Sequence, residues 1–252
     1  MRLGVFGRGR MGGAIAAEIA RYTASPDALE LAWTEGREVG PRTRVEVAVD
    51  ASNALAVEEH LEWAISTGTD LVIATTGWKI PDLADRVEGR IGVLVASNLS
   101  MGVALMRKLA AIMGAYAATD QEADLGIIEH HHKMKLDAPS GTAITLASAL
   151  QSACPRYSGW KIGSYEKDKI NIASLRSGFE IGRHDISLDS PFETLTISHH
   201  AKDRRVFASG AMRGATWIWG RRGVFTMDDL ATDAFGGDTT ARKPAGVLNV
   251  SK

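Results

Sequence analysis

Arg2-Leu3-Gly4-Val5-Phe6-Gly7-Arg8-Gly9-Arg10-Met11-Gly12-Gly13-Ala14-Ile15 decides the fold class. The apolar run from Arg2 to Phe6 predicts a buried strand, and Ile15, Ile19 and Tyr22 recur at helical spacing in a helix over Met11 to Tyr22. Between the two, Gly7-Arg8-Gly9-Arg10-Met11-Gly12 satisfies G-x-G-x-x-G. Glycines in that setting allow a tight turn and let the backbone approach a pyrophosphate at the helix start. The motif alone is weak, because a tight turn needs no ligand. Its place between strand and helix strengthens it, as does Glu35 at the end of the next strand. A carboxylate there accepts hydrogen bonds from adenosine ribose hydroxyls.

Outward from this loop, short apolar runs alternate with amphipathic ones. Strands are expected at Leu29 to Thr34, Val45 to Val49, Asp70 to Ala74 and Ile91 to Val95, with a helix over Ala54 to Thr67. Such alternation gives a parallel sheet covered on both faces, a Rossmann-type α/β domain. Ligands of open α/β sheets bind beyond the carboxyl ends of the strands. Ala74-Thr75-Thr76-Gly77 and Ala96-Ser97-Asn98-Leu99 should therefore face the same crevice as the glycine loop, although Ser97 or Asn98 could equally cap a helix. Glu35 favours NADH by repelling a 2'-phosphate, while Arg8, Arg10 and Arg37 can offset that repulsion. The expectation is use of NADH or NADPH, leaning towards NADH.

Past residue 98 the pattern changes. A long helix over Val103 to Tyr116 precedes a strand over Ala123 to Glu129. A helix over Thr142 to Leu150 follows, then strands at Ile170 to Arg176, Arg183 to Leu188 and Thr194 to Ser198. Strands with fewer helices predict a second, α+β domain with an open mixed sheet. Residues 1–98 then form the dinucleotide domain and 99–213 the second domain. A helical region over Val206 to Gly220 leads to Phe225 to Leu230, expected to pack back on the first domain, which about 214–252 completes. The Gly-, Thr- and Pro-containing tail from Gly236 to Lys252 is expected to be loosely ordered.

Bulk properties narrow the function. A net charge of -1 argues against general nucleic-acid binding, which needs a basic surplus. No apolar run is expected to reach the roughly 18 residues of a membrane span, and the chain enters a strand without a signal-peptide layout. Cys154 is the single cysteine, so no intrachain disulfide forms, and a cytoplasmic location is expected. Its surroundings suggest a small apolar filler.

The chemistry lies in Glu129-His130-His131-His132-Lys133-Met134-Lys135-Leu136-Asp137-Ala138-Pro139-Ser140-Gly141-Thr142-Ala143. Imidazoles move protons, ammonium groups hold carboxylates, and a helix start lined by Ser and Thr binds anions. A small acidic substrate undergoing proton transfer fits. Three adjacent histidines could suggest zinc, but consecutive strand residues point to opposite faces, so no metal is expected. Asp137 either orients Lys135 or caps the turn. From these residues alone, a reductase of a small imine or keto acid and a non-catalytic nucleotide sensor both stay open.

This segment resembles the signature of the 4-hydroxy-tetrahydrodipicolinate reductase family, E-x-H-H-x-x-K-x-D-A-P-S-G-T-A, at every fixed position. The similarity extends to the glycine loop, Val72 to Gly77, Ala96 to Ser100 and Gly210-Ala211-Met212-Arg213. His130, Met134 and Asn53 differ from the residues usual in the family. The resemblance implies reduction of a cyclic imino dicarboxylate with loss of water, in the diaminopimelate route to lysine, by a homotetramer whose second domain builds the substrate site and subunit contacts. It makes His131 the general acid/base and Lys135 the proton donor. His132, Gly141 and Thr142 become substrate ligands; Ser140 is expected to join them as a donor at the helix start, and Arg213 to be a further substrate or interdomain contact. It places cofactor contacts on Gly7, Arg8, Gly9, Arg10, Met11 and Gly12, on Glu35, on Ala74, Thr75 and Thr76, and on Ala96, Ser97, Asn98 and Leu99.

Overall fold

Two sheets, each with its own apolar layers, carry the chain. The computed structural model describes residues 1–21, 29–36 and 40–236. In chain order the elements are β1 (Arg2–Phe6), α1 (Arg10–Arg21), β2 (Glu30–Glu35), β3 (Val47–Asp50), α2 (Val57–Thr67), β4 (Asp70–Ile73), α3 (Leu83–Val87), β5 (Gly92–Val95) and α4 (Met101–Thr119). They continue with β6 (Asp124–His131), α5 (Gly141–Ala153), β7 (Gly159–Ile162), β8 (Lys169–Arg176), β9 (Arg183–Asp189), β10 (Thr194–His200), α6 (Arg205–Ile218), β11 (Gly223–Thr226) and α7 (Met227–Phe235).

The first sheet has the order β11-β5-β4-β3-β1-β2 and is parallel throughout. Period-2 alternation divides each strand between two covered faces. Leu3, Val5, Val47, Val49, Val72 and Leu94 pack with residues of α1, α6 and α7 on one face. Phe6, Ala48, Leu71, Ile73 and Val93 pack with residues of α2 and α3 on the other. Strands buried on both sides read as continuous apolar runs, which is why these were visible in the sequence. Strand order reverses at β1, whose neighbours are β2 and β3, and the glycine loop leaves the carboxyl end of that strand.

The second sheet has the order β10-β9-β6-β8-β7, with β8 parallel to β6 and β7, and β9 antiparallel to β6 and β10. Helices α4 and α5 cover one face, burying Met106, Ala110, Met113, Leu146 and Leu150 against Leu125, Ile127, Ile172 and Ile186. Cys154 lies in this core. The mixed open sheet agrees with the expectation.

Several boundaries move. Helix α4 starts two residues earlier than expected because Ser100, not Ser97 or Asn98, caps it: the Ser100 hydroxyl accepts from Val103 N, and Asn98 Oδ1 accepts from Ser100 N. At 19 residues and a mean hydropathy of 1.2, this helix is long and apolar enough to cross a membrane by length and composition alone, which corrects the expectation that no run reaches that length. It carries Arg107 and Lys108, and its apolar side belongs to the second core. Strand β6 runs two residues further than expected, so His130 and His131 are strand residues. The short β7 and α3 were not foreseen. Phe225 lies in β11, which adds a parallel edge beside β5, and Leu230 in α7 joins the first core. Tyr22, Arg37 and residues 237–252 lie outside the described residues.

Candidate active site

The inward face of the second sheet is apolar for most of its length and turns polar at one end. On β6, Leu125 and Ile127 point inward, and the same alternation continues with Glu129 and His131. Register sets Glu129 beside Ser174 and His184, and His131 beside Arg176. Glu129 is fully buried. Its Oε1 accepts from Arg176 Nη2 at 2.6 Å and from Ser140 N at 3.3 Å. Its Oε2 lies 2.5 Å from His131 Nδ1, in contact but outside hydrogen-bond alignment. Burial alone would raise this carboxyl, but His131, Arg176 and Ser174 outweigh it and hold Glu129 well below the ordinary carboxylate range. A fixed anion thus sits behind His131, with the imidazole edge-on to His184 at 5.1 Å.

His184 is the other buried imidazole. Burial first, then the positive fields of His131, His199 and Lys135, push it down to about 4 against the opposing pull of Glu129. It is therefore neutral near pH 7, with Nε2 3.1 Å from Ser140 Oγ. The Ser140 hydroxyl also accepts from Ala143 N at 3.2 Å and caps α5. Ser140, expected as a substrate ligand, is instead 2% exposed and engaged inward on both its N–H and its hydroxyl. The reason is local, since an N-cap side chain must fold back over the first turn. Gly141 and Thr142 keep the open positions of that turn, and nothing lies within 4 Å of a Cβ built on Gly141.

Lys135 and Asp137 form an ion pair at 2.8 Å, so Asp137 orients the lysine. Arg176 Nη2 also donates to Asp137 O at 2.6 Å, tying this turn to the buried Glu129. The three adjacent histidines do not converge. His130 turns outward, with Nε2 2.9 Å from Ser177 Oγ, while His132 begins the turn and its N donates to Glu180 O. The donor cluster that the fold assembles is Glu129, His131 and His184, whose ligating atoms lie within 4.8 Å. There Arg176 already supplies the cation that Glu129 requires.

The glycine loop is shaped by close contacts. Gly7 has φ of 106°, and its N donates to Glu35 O at 2.8 Å. A Cβ on Gly7 would overlap Ala51 O, and one on Gly12 would overlap Gly7 O, whereas Gly9 faces open space. This open loop at the start of α1 fits a dinucleotide pyrophosphate. Arg8 leans back on β2, donating to Thr34 O at 2.8 Å, while Arg10 and Met11 begin α1. Thr75 spends its hydroxyl on Asp50 Oδ1 at 2.6 Å, and Thr76 next to it is exposed. Ala96 and Leu99 are buried, so they can meet a cofactor only through backbone, while Ser97 is exposed. Asn98 Nδ2 donates to Thr142 Oγ1 at 3.0 Å and joins the crevice segment to the His/Lys turn.

Two expected residues stand apart from this geometry. Glu35 is 6% exposed, with both carboxylate oxygens held by Arg42 at 2.6 and 2.7 Å. Arg213 is exposed on α6 and makes no hydrogen bond or ion pair with the His/Lys cluster among the described residues. Arg176 and His184 were missed by the sequence reading. Their signal was present, as each extends a buried period-2 series (Ile170, Ile172; Leu188, Ile186) with a polar residue. A cavity of about 500 Å³ lies at the amino ends of the first sheet among Arg2, Arg44, Asp70 and Trp219, away from these groups.

Comparison with known proteins identifies the family. Residues 32–99 match the family profile described as "Dihydrodipicolinate reductase, N-terminus", and residues 102–231 match "Dihydrodipicolinate reductase, C-terminus". The 4-hydroxy-tetrahydrodipicolinate reductase of Acidiphilium cryptum is 36% identical over 245 residues, covering 91% of this chain and 97% of its own. That of Akkermansia muciniphila is 36% identical over 239 residues, covering 88% and 94%. The fold matches the dipicolinate-bound dihydrodipicolinate reductase from Paenisporosarcina sp. TG-14 with a TM-score of 0.75 at 24% identity, covering 90% of this chain and 97% of that one. With both halves of the chain matched and relatives aligned over nearly their whole length, the chain belongs to the dihydrodipicolinate reductase family.

Proposed function

We propose that this protein reduces 4-hydroxy-tetrahydrodipicolinate to tetrahydrodipicolinate with loss of water, in the diaminopimelate route to lysine. The observation that carries the proposal is the Asn98–Thr142 hydrogen bond, which sets the dinucleotide crevice against the first turn of α5, directly after the segment that carries His131 on β6 and Lys135 on the following turn. When bound, NADH or NADPH supplies the hydride, with a modest lean towards NADH from the acid at Glu35. Hydride addition to a conjugated imine builds negative charge that a nearby donor must quench. Lys135, fixed by Asp137, gives that proton and its charge attracts the dianionic substrate. His131 acts as general acid/base, held against Glu129, and no step calls on a metal ion. The N–H groups of Gly141 and Thr142 at the start of α5 receive one carboxylate, and His132 is a further substrate ligand in this reading. Arg213 would join them only after closure of the two sheets over the ligand.

The working enzyme is a cytoplasmic homotetramer in this account. Ile128 and Leu175 stand about half exposed on the outer face of the second sheet, which suits a subunit contact. The test is a kinetic one. Nucleotide oxidation should depend on the product of dihydrodipicolinate synthase and should not occur with simple keto acids alone. Oxidation driven equally well by unrelated imines would point to a different substrate.

A further inference from the structure

Resting on the reading of β1, α1 and β2 as a dinucleotide site, we propose that Arg42 is a specificity-determining residue. It neutralises Glu35 and so lets the ribose end of the crevice accept NADPH beside NADH. A carboxylate at the end of the second strand ordinarily favours NADH, because it accepts from the 2'-hydroxyl and repels a 2'-phosphate. Here that carboxylate is not free. Arg42 Nε donates to Glu35 Oε2 at 2.6 Å and Nη2 donates to Glu35 Oε1 at 2.7 Å, a two-pronged pairing in a buried setting. The fork is held from three sides. Nη2 reaches Glu59 Oε1 at 2.9 Å, and the guanidinium lies over the Phe6 ring at 5.2 Å. On the far side, His60 Nε2 is 3.8 Å from Glu35 Oε1, while its Nδ1 is 2.7 Å from the buried Asp50.

The rim adds a second guanidinium. Arg8 is anchored to Thr34, next to Glu35, and lies across Gly36. Arg42 Nη1 makes no hydrogen bond among the described residues, so it remains a donor. Glu35 and Glu59 share Arg42, and with Arg8 on the rim two guanidiniums face two carboxylates, which offsets the repulsion that a bare Glu35 would exert on a phosphate. The acid still prefers a hydroxyl, so a small lean to NADH persists, with Arg42 keeping it small.

The experiment measures dissociation constants for NADH and NADPH by fluorescence titration on the full chain, with thermal melts run on each variant. Arg42→Met should unmask Glu35 and weaken NADPH relative to NADH by about tenfold or more. Arg42→Lys keeps the charge but loses the two-pronged geometry, so it should move the ratio in the same direction as Arg42→Met and by less. Glu35→Gln removes one of the two carboxylates on Arg42, leaving Glu59, and should move the ratio about tenfold in the opposite direction. Should Arg42→Met not fold, Glu35→Gln alone decides. An unchanged ratio in folded Arg42→Met or in Glu35→Gln, with both nucleotides still binding, overturns the role of Arg42 and spares the nucleotide site. A wild-type protein that binds neither nucleotide overturns both.

Discussion

At the scale of single residues, the site depends on one buried anion and two buried imidazoles. Glu129 is stabilised by Arg176 and Ser140 N, and it fixes the field around His131. His184 is kept neutral by burial and by neighbouring positive charge. Its value of about 4 lies below the roughly 6.5 of an unfolded histidine, so folding favours its neutral form. That contribution is complete above about pH 6.5 and is lost as pH falls towards 4. Urea titrations across this window should show wild-type stability falling by up to about 3 kcal/mol, over and above the loss from carboxylates. His184→Gln should flatten this window specifically. An identical pH slope in the variant would show that His184 is not the group concerned.

At the scale of elements, helix α5 matters most, because its Ser140 cap ties it to His184 and its first turn follows the loop that holds Lys135. Ser140→Ala removes a cap and leaves His184 Nε2 without its hydroxyl partner. Chemical denaturation should record a loss of about 1–2 kcal/mol, whereas a change within 0.5 kcal/mol would remove the capping argument. The elements also show what the sequence could convey. Strands β1, β4 and β5 were legible because burial on two faces makes continuous apolar runs. Strand β7 was not, because its four residues carry little periodicity and are defined by pairing with β8. The His/Lys turn was legible from residue type alone. Arg42 was not: it sits in a loop seven residues after Glu35, and only the fold turns it back onto that carboxylate.

At the scale of the whole molecule, two sheets with separate cores meet through few polar links, of which Asn98–Thr142 lies nearest the chemistry. This arrangement suits a cofactor held by one layer and a substrate held by the other. It also leaves the outer face of the second sheet for assembly. Sedimentation equilibrium should give a tetramer, and Leu175→Asp should dissociate it while leaving circular dichroism unchanged. A monomer in the wild type would remove assembly from the account.

The central claim is that His131 and Lys135 serve proton transfer beside a nucleotide crevice. Its most direct test is a coupled assay in which dihydrodipicolinate synthase makes the substrate from pyruvate and aspartate semialdehyde, with NADH and NADPH oxidation followed in parallel. The wild type should oxidise both nucleotides, and Lys135→Ala should lower turnover about 10² to 10⁴-fold with NADH affinity preserved. Undiminished turnover in Lys135→Ala, or no oxidation by a folded wild type that binds NADH, would contradict that claim.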